Sequence, residues 1–362
     1  MVKRFLLIPL MVVLAGALIF GGCAAPAPAP APVAPAPAPE EAVITWKVQS
    51  ANAAAHPSCV YTMKLCDAVT KASGGQLVFK GFSGGSIVPV TKEIVQGVHK
   101  GVIQATWSCP GYAVGTWPTA ALFGSRPGQM EPSAMRLWFT EWGGVELLNK
   151  TMEGYNVLVL PAVQPDPPEI FLQSTVPIES LDDLIGLKMR AMGDCGEILS
   201  RMGASVVFMP GGEVYEAVAR GTIDAFEFAP ASVNWDLGFQ EVTKYVYLSG
   251  SRAALETCMF FVNKDAWEKL PPNFKQLVQD EVFTWMTKAS LHTYAESLKA
   301  IDKFRDYGCV VERIPPAISD GLLEEAVKFY NEQAAKQKPI YTEVLEAQRA
   351  FKNAYDKFEA LN

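Results

Sequence analysis

Arg190 closes the short run Leu187-Lys188-Met189, and small, flexible residues follow it. Thirty-seven residues later Glu227-Phe228 closes a second β-like run, Thr222 to Ala225. An arginine at the end of a buried strand needs an anionic partner, and its planar fork holds a carboxylate bidentately. The chemistry these residues predict is capture of a small organic acid, not a reaction performed on it. The formal net charge of −7 strengthens this reading, because an acidic chain that binds an anion must do so with local cations.

Other chemistries find little support. There is no GxSxG, HExxH, Walker loop or GxGxxG after a strand, so no catalytic residue is assigned and the chain reads as a non-enzyme. Gly84-Gly85 and Gly211-Gly212 lack the lysine and hydroxyl of a phosphate cradle. His56, His99 and His292 show no metal-ligand spacing. Nucleic acid is excluded as a partner, since a phosphate backbone demands excess Lys and Arg.

Two stretches must position the arginine and its acid. Residues 93–110, EIVQGVHKGVIQATWSCP, and residues 213–230, EVYEAVARGTIDAFEFAP, match without a gap. Glu93 pairs with Glu213, Val98 with Val218, Gly101 with Gly221, Ile103 with Ile223, Ala105 with Ala225 and Pro110 with Pro230. Each reads as an amphipathic helix, a glycine C-cap and a short strand. The prediction is an α/β protein of two similar lobes, with parallel strands buried by helices. Ligands of open α/β sheets bind beyond the carboxyl ends of strands. The repeat puts Trp107-Ser108 in one half where Glu227-Phe228 stands in the other, so the two pairs, with Tyr112, are expected on opposite walls of one cleft.

The rest of the chain frames these lobes. Lys3, Arg4 and the apolar stretch Phe5–Phe20 read as a signal peptide over residues 1–22. Gly21-Gly22-Cys23 resembles a lipobox, which makes Cys23 the expected lipid attachment site. An Ala/Pro tether over 23–42 favours polyproline II, which at about 3.1 Å per residue spans roughly 50 Å. Membrane contact is expected through that lipid alone. Lobe I is assigned to 43–160 with part of 251–290, and lobe II to 161–250 with part of 291–318. Helices are expected over 56–72, 133–152, 272–307 and 319–359, and strands over 43–49, 76–82, 156–161, 169–175 and 258–263. Residues 319–362 form a terminal helix that either packs back or swaps between protomers, giving a monomer or a helix-mediated dimer. The six remaining cysteines, Cys59, Cys66, Cys109, Cys195, Cys258 and Cys309, are scattered and expected mostly as buried free thiols.

From about Val43 to Asn331 the chain resembles the extracytoplasmic solute receptors of tripartite ATP-independent periplasmic (TRAP) transporters, dicarboxylate-receptor type. SLDDLIGLKMRAMG (180–193), GGEVYEAVARGTIDAFEF (211–228) and LGFQEVTKY (237–245) carry the resemblance, supported by KASGGQLVFKGFSGGSIV (71–88) and FFVNKDAWEKLP (260–271). It implies a two-lobed periplasmic-binding-protein-like fold with a hinged central cleft, which hands an organic acid to a membrane permease driven by an ion gradient. It assigns the carboxylate grip to Arg190. The Glu-Phe pair is similar to the Glu-Trp of the branch that binds 2-oxo or 2-hydroxy monocarboxylates, with Phe228 replacing tryptophan. Glu169 stands where that branch has a glutamine, and its second glutamate falls near Ala253, three residues before Glu256. Three alternatives follow: a Na⁺ or Ca²⁺ ion held by Glu169 and Glu227 bridges the acid, the ligand is an amino-acid-like zwitterion, or neither holds. None makes a cofactor obligatory. A further alternative is a receptor that docks a membrane sensor.

Overall fold

The computed structural model describes residues 42–89 and 91–361. The expected signal peptide, Cys23 and the Ala/Pro tether up to Glu41 lie outside the described residues. The chain runs β1 (Ile44–Ser50), α1 (Pro57–Ala72), β2 (Leu77–Phe82), α2 (Ile94–His99), β3 (Ala105–Ser108), α3 (Pro132–Glu141), α4 (Gly144–Thr151) and β4 (Val157–Pro165). It continues through β5 (Ile170–Ser174), β6 (Lys188–Arg190), α5 (Gly193–Arg201), β7 (Ser205–Val207), α6 (Gly211–Ala219), β8 (Ala225–Phe226), α7 (Ala231–Asp236) and β9 (Tyr245–Leu248). β10 (Thr257–Asn263), α8 (Lys264–Glu268), α9 (Pro272–Tyr307), β11 (Val310–Arg313), α10 (Pro316–Lys336) and α11 (Pro339–Glu359) complete it.

Two sheets organise these elements. Lobe I has the order β2-β1-β3-β10-β4 and lobe II the order β11-β9-β5-β8-β6-β7. The pairs β1–β2, β1–β3, β6–β7 and β6–β8 are parallel, as helix-covered βα units require. Beside these expected parallel pairs, β10 runs antiparallel to β3, and β5 antiparallel to β8. Each lobe thus receives one strand of opposite sense from a crossing segment. The inner strand β10 is buried along its length, so Phe260, Phe261 and Val262 meet apolar layers on both faces.

The internal repeat is structural. Gly101 and Gly221 both adopt left-handed conformations, with φ of 70° and 67°. Their N–H groups donate to Val98 and Val218 carbonyls, and the next residues, Val102 and Thr222, donate to Gly97 and Ala217. Each strand then enters its sheet in one register: Gln49 lies opposite Thr106, and Arg190 opposite Phe226. Gln49 is therefore the counterpart of Arg190.

Several boundaries differ from expectation. The helix expected over 133–152 breaks at Gly143, whose φ is 83°. The expected 319–359 helix is two helices, because Pro339 disfavours helical backbone at Lys338. β4 runs on to Pro165, and the strand expected from Thr222 is confined to Ala225–Phe226. Cys109 and Cys258 form a disulfide between β3 and β10, whereas Cys59, Cys66, Cys195 and Cys309 are buried free thiols. The long helix α9 starts at Pro272 and stops at Gly308 with φ of 103°, a common end signal. Its first half buries Phe274, Val278, Val282 and Met286 in lobe I, and its second half buries Ala300 and Phe304 in lobe II. α10 packs on α5 of lobe II, and α11 on α3 and α4 of lobe I. No helix among the described residues is long and apolar enough to cross a membrane.

Candidate functional site

Arg190 ends β6 with 4% of its surface exposed. Its Nη1 donates to the Glu227 carbonyl oxygen at 2.6 Å and to Glu227 Oε1 at 2.9 Å, and its Nε to the Met209 carbonyl at 3.3 Å. Its guanidinium lies over the Phe228 ring, 5.2 Å from the centroid. That ring packs against Gly211 at the start of α6, where an added Cβ would approach two ring atoms to 2.5 Å. Three residues singled out in the sequence, Arg190, Glu227 and Phe228, are therefore in one place, and Phe228 serves as an apolar floor under the arginine. Among the described residues, Nη2 of Arg190 has no hydrogen-bond partner.

A fourth, Glu169, is reached through a residue the sequence reading did not single out. Arg252 donates from Nη1 to Glu227 Oε2 and from Nη2 to Glu169 Oε2, each at 2.7 Å, and from Nη2 to the Ile170 carbonyl at 2.8 Å. Its side chain is 2% exposed. Glu227 Oε1 also accepts the Met192 N–H at 2.7 Å. Burial works to lower the Arg252 pKa, but Glu169 and Glu227 outweigh it and hold the guanidinium charged. Burial raises the Glu169 carboxyl, and Arg252 opposes the rise. Two guanidiniums and two carboxylates make the cluster electrically neutral. The conflict between two acids and an anionic ligand, which motivated the zwitterion alternative, is thereby removed. The available signal was a cation one residue from Ala253, where an acid was sought.

The cluster lies on the crossing between lobes. Residues 166–169 lead from β4 to β5, and residues 249–256 lead from β9 to β10. The two crossings bond to each other through Asp166 N–H to Glu256 O at 2.8 Å and Glu169 N–H to Ala253 O at 3.2 Å. Glu169 also makes a bridge with Pro230, beside the Glu227–Phe228 strand end. Asp166 and Glu256 are both half-buried on these crossings. Burial pushes Asp166 up to about 7 and Glu256 up to about 8, with Glu169 contributing to both.

Lobe I contributes Tyr112, which sits in a 3-10 turn two residues after the start of that turn at Pro110. Burial, Glu256 and Glu169 push its phenol up to about 12, with Arg190 opposing, which places it against the same cluster. Its hydroxyl has no hydrogen bond among the described residues. Trp107 was expected on this wall but packs in the lobe I core with Leu65, Phe260 and Met286. β-Strand alternation turns Ser108 to the other face, where its buried Oγ has no partner. Asn234 is absorbed internally, donating to Gln173 and accepting from Ala229 N–H. A cavity of about 550 Å³ has Glu169, Tyr294 and Arg313 in its wall but not Arg190.

Comparison with known proteins agrees with this architecture. The family model of DctP, bacterial extracellular solute-binding protein family 7, matches residues 48–337. A monocarboxylate 2-oxoacid-binding periplasmic protein of Nostoc sp. is 29% identical over 209 residues, 58% of this chain and 57% of that protein. The chain thus matches little more than half of that relative's length. A TRAP periplasmic solute-binding protein of Colwellia psychrerythraea, solved with calcium and pyruvate, superposes with a TM-score of 0.79 at 25% identity, covering 88% of this chain and 97% of that one. A second, from Pseudoalteromonas atlantica with sodium and pyruvate, gives 0.78 at 24% identity, covering 87% and 96%.

Proposed function

Because the chain belongs to bacterial extracellular solute-binding protein family 7, we propose that it captures a 2-oxo or 2-hydroxy monocarboxylate outside the cytoplasm and delivers it to the membrane permease of a TRAP transporter. The observation that carries this reading is Arg190: buried, fixed at a strand end by Glu227 and Met209, and with its Nη2 amino group unpaired among the described residues. An acid's carboxylate would accept from that Nη2, and Tyr112 of the opposite lobe would close on it. The apolar Phe228 ring beside the guanidinium suits a short carbon chain next to the carboxylate. The Nostoc relative's name and the pyruvate in two similar structures support the same class.

Titration calorimetry with pyruvate, lactate and longer 2-oxo acids tests the reading. Arg190→Ala is expected to weaken binding by at least about a hundredfold, the scale of losing a charge-assisted pair. Arg190→Lys should recover only part of it, because a point charge cannot reproduce the fork. Equal affinity in Arg190→Ala would reject Arg190 as the carboxylate grip.

Anchoring through a lipid on Cys23 belongs to the same proposal and rests on the leader and Ala/Pro tether. Cys23→Ser should shift the exported protein from the membrane to the soluble fraction. A variant that stays with the membrane would refute the anchor.

A further inference from the structure

We propose that the Arg252 guanidinium permanently fills the place between Glu169 and Glu227 that a metal ion would take, so that this chain binds its acid without sodium or calcium. The inference rests on the cluster being the acid-binding site. Similar proteins from Colwellia psychrerythraea and Pseudoalteromonas atlantica hold pyruvate together with calcium or sodium. The residues present here do not suit such an ion.

The oxygen count is the first reason. Calcium takes about six to eight oxygen ligands. Every Glu227 oxygen is already engaged by a cation or an N–H: Oε1 accepts from Arg190 and Met192, Oε2 from Arg252, and its carbonyl from Arg190. Glu169 Oε2 accepts from Arg252 as well. Among the described residues no group of three or more His, Cys, Asp or Glu side chains is arranged to hold a metal.

Electrostatics is the second. An ion entering between the carboxylates would meet a guanidinium 2.7 Å from each of them. It could enter only by displacing a buried side chain that the Ile170 carbonyl also retains. Asp166 and Glu256 are engaged elsewhere: both Asp166 carboxylate oxygens accept from Gln164 Nε2, and Glu256 Oε1 accepts from the Thr257 N–H. With Arg252 in place the cluster is neutral and Arg190 keeps its free N–H, which is the balance a carboxylate ligand requires.

Position is the third. Arg252 is carried on the 249–256 crossing, next to Ala253, whose carbonyl accepts the Glu169 N–H. The positive charge is thus built into the hinge and is present at any external ion concentration. Capture by this chain would be insensitive to sodium, whatever ion drives the permease.

The test uses protein treated with chelator and dialysed into sodium-free potassium buffer. Calcium alone is titrated first, then pyruvate with and without calcium or sodium. The unaltered protein should show no saturable calcium heat, and its pyruvate affinity should change by less than about threefold, within the scatter of weak electrostatic effects. In Arg252→Met the two carboxylates are stranded, so saturable calcium binding should appear. Pyruvate affinity should fall by more than about a hundredfold without calcium and partly return with it. Calcium binding by the unaltered protein that is lost in Glu169→Gln, or a tenfold or larger drop in pyruvate affinity on chelation and sodium removal, would overturn the proposal. The calcium titration of the unaltered protein decides even if Arg252→Met does not fold. Should pyruvate bind under no condition, the proposed ligand fails, while the calcium result still judges Arg252.

Discussion

Asp166 and Glu256 are carboxyls whose ionisation burial shifts up toward neutral pH. Burial sets their folded values near 7 and 8, well above those of an unfolded chain. The folded state therefore holds more protons than the unfolded one across this interval, and stability falls as pH rises through it. His56 acts in a lower window: burial brings it down to about 4, so its contribution grows between about 4 and 6.5 and is complete above. From about pH 6.5 to 8.5 the two carboxyls dominate among these groups. Urea unfolding should show a loss of roughly 1–2 kcal/mol over that range, discounted for the accessible edge each group keeps. Glu256→Gln, whose amide oxygen can still accept from Thr257 N–H, should flatten most of the slope. An unchanged slope in that variant would mean that Glu256 is already ionised in the folded protein. Arg252 shows the opposite treatment of charge: where Asp166 and Glu256 are neutralised by protons, Glu169 and Glu227 are neutralised by a fixed cation.

The start of helix α6 positions the arginine through Phe228. Gly211 and Gly212 are neighbours in its first turn, yet a Cβ at Gly211 would meet the Phe228 ring at 2.5 Å, while Gly212 has open space around it. Gly211→Ala should push the ring from beneath Arg190, costing about 1–3 kcal/mol of stability and weakening acid binding. Gly212→Ala should be neutral or stabilising by up to about 1 kcal/mol. Equal effects from the two would show that the ring is not held as described. The same elements show what the sequence discloses. The helix–glycine–strand grammar is local, so the repeat, Arg190 and Glu227 can be read from it directly. Period-two alternation already separates Trp107 from Ser108, and the burial of Trp107 was open to that argument. Arg252 was not, because it lies in an aperiodic crossing and gains its partners only when two segments more than eighty residues apart in sequence align, Glu169 beside Arg252. The Cys109–Cys258 bridge depends likewise on β10 inserting antiparallel beside β3, which nothing in either segment announces.

At the scale of the whole molecule, three connections join the lobes in the middle: the crossings 166–169 and 249–256, and helix α9. Glu169 and Arg252 sit on the two crossings, and Glu227 links them to Arg190, so a ligand at Arg190 is coupled to the crossings through that chain. At a second point Lys92 of lobe I lies over the exposed Phe208 ring of lobe II, 5.1 Å from its centroid. Such an exposed contact is worth about 0.5–1 kcal/mol, enough to bias a closed form without locking it. α10 and α11 limit the motion from outside, since one rests on lobe II and the other on lobe I while packing on each other. A bending hinge with a weak latch predicts two measurable effects. Small-angle scattering should show compaction when a saturating 2-oxo acid is added, because the proposed site draws Arg190 from lobe II and Tyr112 from lobe I. Lys92→Ala should weaken affinity by only about two- to fivefold, mainly through faster dissociation, because the latch holds the closed state and not the ligand. If the scattering curve is unchanged at saturation and Lys92→Ala leaves the dissociation rate intact, the lobes are already locked, and the acid must reach Arg190 without opening of the cleft.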